Sequence, residues 1–235
     1  MALGKIISFA NQKGGVGKTT SAVNVGASLG ILGYRVLLID LDPQGNATSG
    51  VGIAKRSLSK TIYHVLMGDA TPAESVVTTP YKNLSIIPAN TSLANAEFNL
   101  FKVEDENVYI MRNALNQIRN QFDYIIIDCG LKQELLTVNA LSASDYCIIP
   151  VQAHFLASEG IPEVLELVRS VQAKFNPSLK IAGILITMYQ SKPQLCESIR
   201  ESVVDVYGTK INVFSHPIEY TIKLAEAPAA GQSIF

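Results

Sequence analysis

Apolar runs alternate along this chain with longer stretches whose apolar residues recur at helical spacing. Ile6-Ile7-Ser8-Phe9-Ala10 predicts a first strand. Residues 19–32 predict a helix, with Ala22, Val25, Gly26 and Leu29 along one side and Gly33 placed to end it. Val36-Leu37-Leu38-Ile39 predicts a second strand; an unbroken β-branched and leucine run suits a strand covered on both faces of a parallel sheet. A right-handed crossover brings the carboxyl ends of these two strands to one edge, where ligands bind. Further strands are predicted at Leu84-Ser85-Ile86-Ile87, Tyr124-Ile125-Ile126-Ile127, 145–151, 180–187 and 211–214. Helices are predicted behind a Ser57 or Ser59 cap through Met67, from Asn90 to Phe98, over 109–121, behind a Ser158 cap from 159 to about 175, and over 195–207. Residues 68–72 read as a turn and 102–107 as a solvated turn or helix start. No internal repeat or low-complexity linker interrupts the pattern, so residues 1–235 are expected to form a single domain.

Composition narrows the classes without naming a chemistry. With 48% hydrophobic and 17% charged residues the chain is core-rich, not disordered. A net charge of −1 means that any nucleic-acid contact needs a local basic patch. Cys129, Cys147 and Cys196 form no C-x-x-C pair and read as reduced thiols, which points to the cytoplasm. His64, His154 and His216 lie too far apart for metal-ligand spacing. No secretory leader or membrane span is expected, and Ile234-Phe235 ends the chain without a basic amphipathic tail.

Chemistry concentrates between the first strand and the first helix, in Asn11-Gln12-Lys13-Gly14-Gly15-Val16-Gly17-Lys18-Thr19-Thr20. The glycines let backbone N–H groups turn inward, and those groups, with the N-terminus of the following helix, make a concave anion site. Lys13, Gly14, Gly15, Val16, Gly17, Lys18, Thr19 and Thr20 are therefore the expected phosphate-binding residues, with Lys18 reaching the β- and γ-phosphates and the Thr19 hydroxyl turned to Mg²⁺. The second strand leaves the sheet through Asp40 and Asp42, two carboxylates that would be costly if buried without partners. A later apolar strand ends in Asp128, the pattern of an acid that holds Mg²⁺.

Lys13 beside Gly14, together with Lys18, resembles the deviant Walker A motif of the MinD/ParA superfamily of P-loop ATPases. Residues 36–50 resemble the second motif of its ParA/Soj branch, and Lys223-Leu224-Ala225-Glu226-Ala227-Pro228 resembles a motif near the end of those proteins. The resemblance covers nearly the whole chain. It implies a doubly wound α/β fold with a mostly parallel sheet flanked by helices, ATP and Mg²⁺ as cofactors, and slow ATP hydrolysis. It implies that Lys13 crosses a dimer interface to the partner's phosphates, that Asp40 lies near the metal, and that Asp42 orients the attacking water. It also implies an ATP-dependent homodimer on nonspecific DNA, using Lys192, Arg200 and Lys223, with a ParB-like centromere-binding partner, and hence a cytoplasmic, nucleoid-associated protein that partitions a plasmid or chromosome.

The chain departs from that family in two places. Relatives carry Asp-x-Pro-Pro-Ser-Leu-Gly where this chain has Asp128-Cys129-Gly130-Leu131-Lys132-Gln133-Glu134, in the switch-like loop near the γ-phosphate. The Pro-Arg-Asn that frames adenine in relatives is replaced by Glu219-Tyr220-Thr221. Three other readings stay open: a ParA-like ATPase positioning a protein cargo, a small-molecule ligase-type P-loop enzyme, and a nucleotide-binding regulator that no longer hydrolyses ATP.

Overall fold

The computed structural model describes residues 3–100, 107–131, 134–154, 160–190 and 194–235. Its strands are β1 (Lys5–Phe9), β2 (Val36–Leu41), β3 (Val77–Thr78), β4 (Leu84–Ile87), β5 (Tyr124–Cys129), β6 (Tyr146–Gln152) and β7 (Lys180–Thr187). They join in one sheet in the order β3-β4-β2-β5-β1-β6-β7. Every pair is parallel except the short β3–β4 pair at one edge. The helices are α1 (Lys18–Ile31), α2 (Asn46–Gly50), α3 (Ile62–Met67), α4 (Pro72–Ser75), α5 (Ala96–Leu100), α6 (Ile110–Asn116), α7 (Glu134–Ala143), α8 (Gly160–Lys174), α9 (Gln194–Tyr207) and α10 (Ile222–Glu226).

Both faces of the central strands are covered, which explains their continuous apolar runs. Along β2, Val36 and Leu38 join Ala22, Val23 and Ala27 of α1 on one face, whereas Leu37 and Ile39 join the core beneath α3, α5, α6, α7 and α8 on the other. Ile126 and its neighbours Ile125 and Ile127 divide between the same two cores. Burying each such side chain fully stabilises the fold by about 1.5–3 kcal/mol. The chain builds β2 and β4 to one side of β1 and β6 and β7 to the other, so the carboxyl end of β1 is a topological switch point, where ligands bind in such sheets.

Local expectations fail where distant contacts override them. The predicted helix 109–121 stops at Asn116 and tightens into a 3₁₀ turn at Arg119–Gln121. There Arg119 reaches the Gly4 carbonyl and the Asp145 carboxylate, which fixes the turn against β1. Helix α3 begins later than predicted because Thr61, not Ser57 or Ser59, is its cap, in a reciprocal pair with the His64 ring. The segment 211–214 makes only a single bridge, Val213 to Ile184, in place of a strand. The Ser158 cap lies outside the described residues. Among the described residues no helix is long and apolar enough to cross a membrane.

Candidate active site

The glycine-rich loop leaves β1 and is pinned by the two strands beyond it, β6 and β7. Asn11, 4% exposed, donates through Nδ2 to the Pro150 carbonyl at 2.7 Å and accepts from the Lys13 N–H at 2.9 Å. One strand further out, the buried Thr187 hydroxyl at the end of β7 donates to the Val16 carbonyl at 2.8 Å. Gly17 then enters α1 at φ 83°, a left-handed geometry that costs glycine little, and no side chain caps the helix start. The first-turn N–H groups are thus left facing the loop, as an anion requires. Lys18 is 7% exposed and donates through Nζ to the Lys13 carbonyl at 3.0 Å. Burial lowers its pKa, while the negative charge of Asp128 and Asp42 nearby opposes that shift.

The acids predicted from sequence meet at one sheet edge, where Asp40 on β2 pairs in register with Asp128 on β5. Their situations differ. Asp40 is fully buried and its Oδ2 accepts from the Thr48 N–H at 2.7 Å and the Thr48 hydroxyl at 2.6 Å. Burial raises its pKa to about 6 despite those bonds. Asp42 is half-buried and accepts from the Gln44 N–H at 2.9 Å, which holds the exit turn. Asp128 is fully buried, and neither carboxylate oxygen has a hydrogen-bond partner among the described residues. Burial first, then the neighbouring Asp40, pushes its pKa well above the usual carboxylate range, with Thr19 and Lys18 alongside pulling it down. An orphaned carboxylate next to a threonine hydroxyl and a phosphate loop fits a divalent cation. Among the described residues no three His, Cys, Asp or Glu side chains form a cage of their own.

Residues 4–181 match the AAA domain family. Over 232 residues, 99% of this chain and 90% of its relative, the sequence is 44% identical to the sporulation initiation inhibitor protein Soj of Bacillus subtilis. It is 38% identical to the chromosome partitioning protein ParA of Caulobacter vibrioides, across 98% of this chain and 86% of that one. The chain belongs to the ParA/Soj family of P-loop ATPases. Among solved structures, cobyrinic acid a,c-diamide synthase of Mycobacterium smegmatis with a bound ATP analog and magnesium superposes at TM-score 0.88, with 35% identity, 97% of this chain and 93% of that one covered. A plasmid partition protein of Borrelia burgdorferi bound to AMPPNP superposes at 0.78 with 28% identity, covering 97% and 90%.

Against this family frame, the second lysine of the loop has a definite place. The aliphatic stem of Lys13 lies over Gly160 at the start of α8: a Cβ on Gly160 would stand 2.9–3.0 Å from Lys13 Cγ, Cδ and Cε. Of the DNA-contact residues that the family resemblance implies, Lys192 lies outside the described residues. Arg200 is engaged by Glu197 at 3.1 Å on α9, and Lys223 is exposed on α10. Glu197, Glu201 and Asp205 share α9 with Arg200.

Two cavities flank the loop. One of about 240 Å³ lies at the Gly17–Thr20 end and is walled by Thr187, Met188, Glu219, Tyr220 and Leu224. The other, about 440 Å³, lies at the Asn11–Gln12 end and carries Glu97, Glu134 and Glu163. Sequence reading missed Asn11, Thr48 and Thr187 as supports of the site. A polar residue flanking each motif is the only signal they gave, and the Asn11–Pro150 and Val16–Thr187 bonds join segments far apart in the chain.

Proposed function

We propose that this protein is an ATP-dependent dimerising switch of the ParA type, which binds DNA without reading its sequence and drives plasmid or chromosome partitioning with a ParB-like partner. The observation that carries this reading is the near end-to-end likeness to Soj and ParA, with Lys13 and Lys18 both present in the phosphate loop. ATP and Mg²⁺ are its cofactors. The phosphates rest on the 13–20 loop and the start of α1, with Lys18 at the β/γ end; Thr19 and Asp128 hold the cation, with Asp40 behind them. When bound, the cation would neutralise negative charge that develops on the transferred phosphoryl group. Asp42 orients the attacking water. The cavity walled by Glu219 and Tyr220 receives the base, since it opens beside Gly17 and Thr20 and away from Lys13. The single-domain organisation over residues 1–235 belongs to the same proposal.

A ligase-type activity is the second reading, favoured by the 35% identity to a structure named as a diamide synthase. A small carboxylate acceptor would have to enter next to the γ end of the loop. Among the described residues the wall of the 440 Å³ cavity there carries three glutamates and no basic side chain, which would repel it. Positioning of a protein cargo uses the same switch and differs only in the partner.

Sizing the protein with ADP and with ATP, then titrating DNA at low and high salt, tests the leading reading. Dimers only with ATP, and DNA affinity that falls steeply as salt rises, are the expected results. Lys13→Ala should leave ATP binding in place and remove the dimer. An ATP dimer unaffected by Lys13→Ala would exclude the cross-interface role. Nucleotide-independent monomers with no DNA binding would exclude the switch.

The seat of Lys13 on Gly160 yields a companion prediction. A Gly160→Ala methyl would overlap the lysine stem and push it off α8. If that seat competes with the reach across the dimer, Gly160→Ala raises ATP-dependent dimer affinity by roughly three- to tenfold, measured by sedimentation. Unchanged or weaker dimerisation would mean that the seat does not compete.

A further inference from the structure

The altered loop after β5 touches both halves of the γ-phosphate end. The Gly130 N–H donates to the Leu41 carbonyl at 3.2 Å, which draws the chain against Asp42. The approach is so close that a Cβ on Gly130 would lie 3.1 Å from Asp42 Cα and 3.3 Å from Asp42 Cβ. The next residue, Leu131, extends the other way. A Cβ on Gly14 would lie 3.2 Å from Leu131 Cδ1 and 4.0 Å from Cδ2, so the leucine head rests on the phosphate loop itself. Lys18 marks this as the γ end, since its ammonium is bonded to the carbonyl of Lys13, the residue before Gly14. Gly130-Leu131 therefore bridges the acid that orients water and the glycine that would face the γ-phosphate.

Resting on the ATPase reading above, we propose that Leu131 is an apolar shutter over the γ-phosphate end that restricts the approach of water and sets the low basal rate of hydrolysis. In-line attack requires a water on the side of the γ-phosphate away from the leaving oxygen, oriented by a polar group. The isopropyl head offers no hydrogen bond, it rests on Gly14, and its chain neighbour Gly130 lies against Asp42 and lines the 440 Å³ cavity. Leu131 is 38% exposed, so one side of it faces solvent and it can swing away without opening the core. A partner that displaces it would raise the rate with no change in the phosphate loop.

The test is steady-state ATP hydrolysis by the full chain with Mg²⁺, together with nucleotide affinity. Leu131→Ala is expected to raise kcat by roughly three- to tenfold with KM for ATP and nucleotide Kd unchanged. Leu131→Met, which keeps the reach, is expected to retain the original rate. A purely structural role would lower activity or stability and would not separate kcat from KM in this direction. An unchanged or lower kcat in Leu131→Ala, with melting temperature and nucleotide affinity intact, overturns the shutter. Should Leu131→Ala lose nucleotide binding, Leu131→Val decides: a smaller gain in kcat supports the shutter and no gain overturns it. Absence of ATP turnover in the unmodified protein overturns the ATPase reading as well, whereas normal turnover without acceleration by Leu131→Ala overturns the shutter alone.

Discussion

Lys18→Ala is expected to reduce ATP turnover on the order of 10²–10³-fold or more, the scale seen when a charge clamp on a developing transition-state charge is removed. The size of the effect follows from its burial. Lys18 is 7% exposed, so its ammonium acts in a water-poor site where a point charge is worth more than at the surface. Its fixed bond to the Lys13 carbonyl means that the charge is already in place before nucleotide arrives. A second consequence is less obvious. Lys18 is a cation that offsets the buried Asp128 carboxylate, and Asp128 is the largest charge holding Lys18 protonated. Lys18→Ala should therefore also destabilise the nucleotide-free protein, by about 1–3 kcal/mol. Adding Asp128→Asn to Lys18→Ala should make the protein more stable than the sum of the two single effects, because the carboxylate that Lys18→Ala leaves uncompensated is gone, and should restore none of the activity. Chemical denaturation of the two single variants and the double variant measures the coupling; additive effects would show that the two charges do not interact.

Asp128→Asn alone is expected to do the opposite of most changes at a buried polar position. In the absence of Mg²⁺ and nucleotide at pH 7–8 it should stabilise the protein by about 1–3 kcal/mol, because it removes a carboxylate with no hydrogen-bond partner. The direction with pH is set by the raised pKa in the folded state. Between the ordinary carboxylate range and that raised value the unfolded chain has lost its proton and the folded one has not, so stability falls as pH rises through the window. Asp128→Asn should flatten this slope, leaving the smaller contribution of Asp40, whose pKa of about 6 acts in the same direction. Mg²⁺ with nucleotide should raise the melting temperature of the unmodified protein and have much less effect on the variant. Melting curves at pH 5 and pH 8, with and without Mg-nucleotide, check both halves. A less stable Asp128→Asn protein that still responds fully to Mg²⁺ would remove Asp128 from the cation site.

Much of this architecture was legible in the chain. The runs at β1, β2, β5, β6 and β7 are unmistakable because a strand covered on both faces has to be apolar at every position, and Val36–Leu41 is buried throughout. Element ends were less legible where the cause lies elsewhere. Asn116 ends α6 because Arg119 is drawn to Gly4 and Asp145, and no pattern within residues 109–121 reports that attraction. The short α2, α4 and α10 were missed since a single turn carries too few positions to show a period.

The sequence alone determined the family, and it marked the glycine- and lysine-bearing loop and the acids that the fold brings to one sheet edge. Each of these is a local pattern, in which glycines, lysines and carboxylates follow one another within a few residues of a strand end. The tertiary structure decided how those groups are used. It spends Asp40 on Thr48 and leaves both Asp128 oxygens without a hydrogen-bond partner among the described residues; it seats Lys13 on Gly160 and Leu131 on Gly14; and it ties Arg200 to Glu197. Backbone conformation is written in neighbouring residues, but the pairing of side chains depends on which distant segments the sheet order brings together.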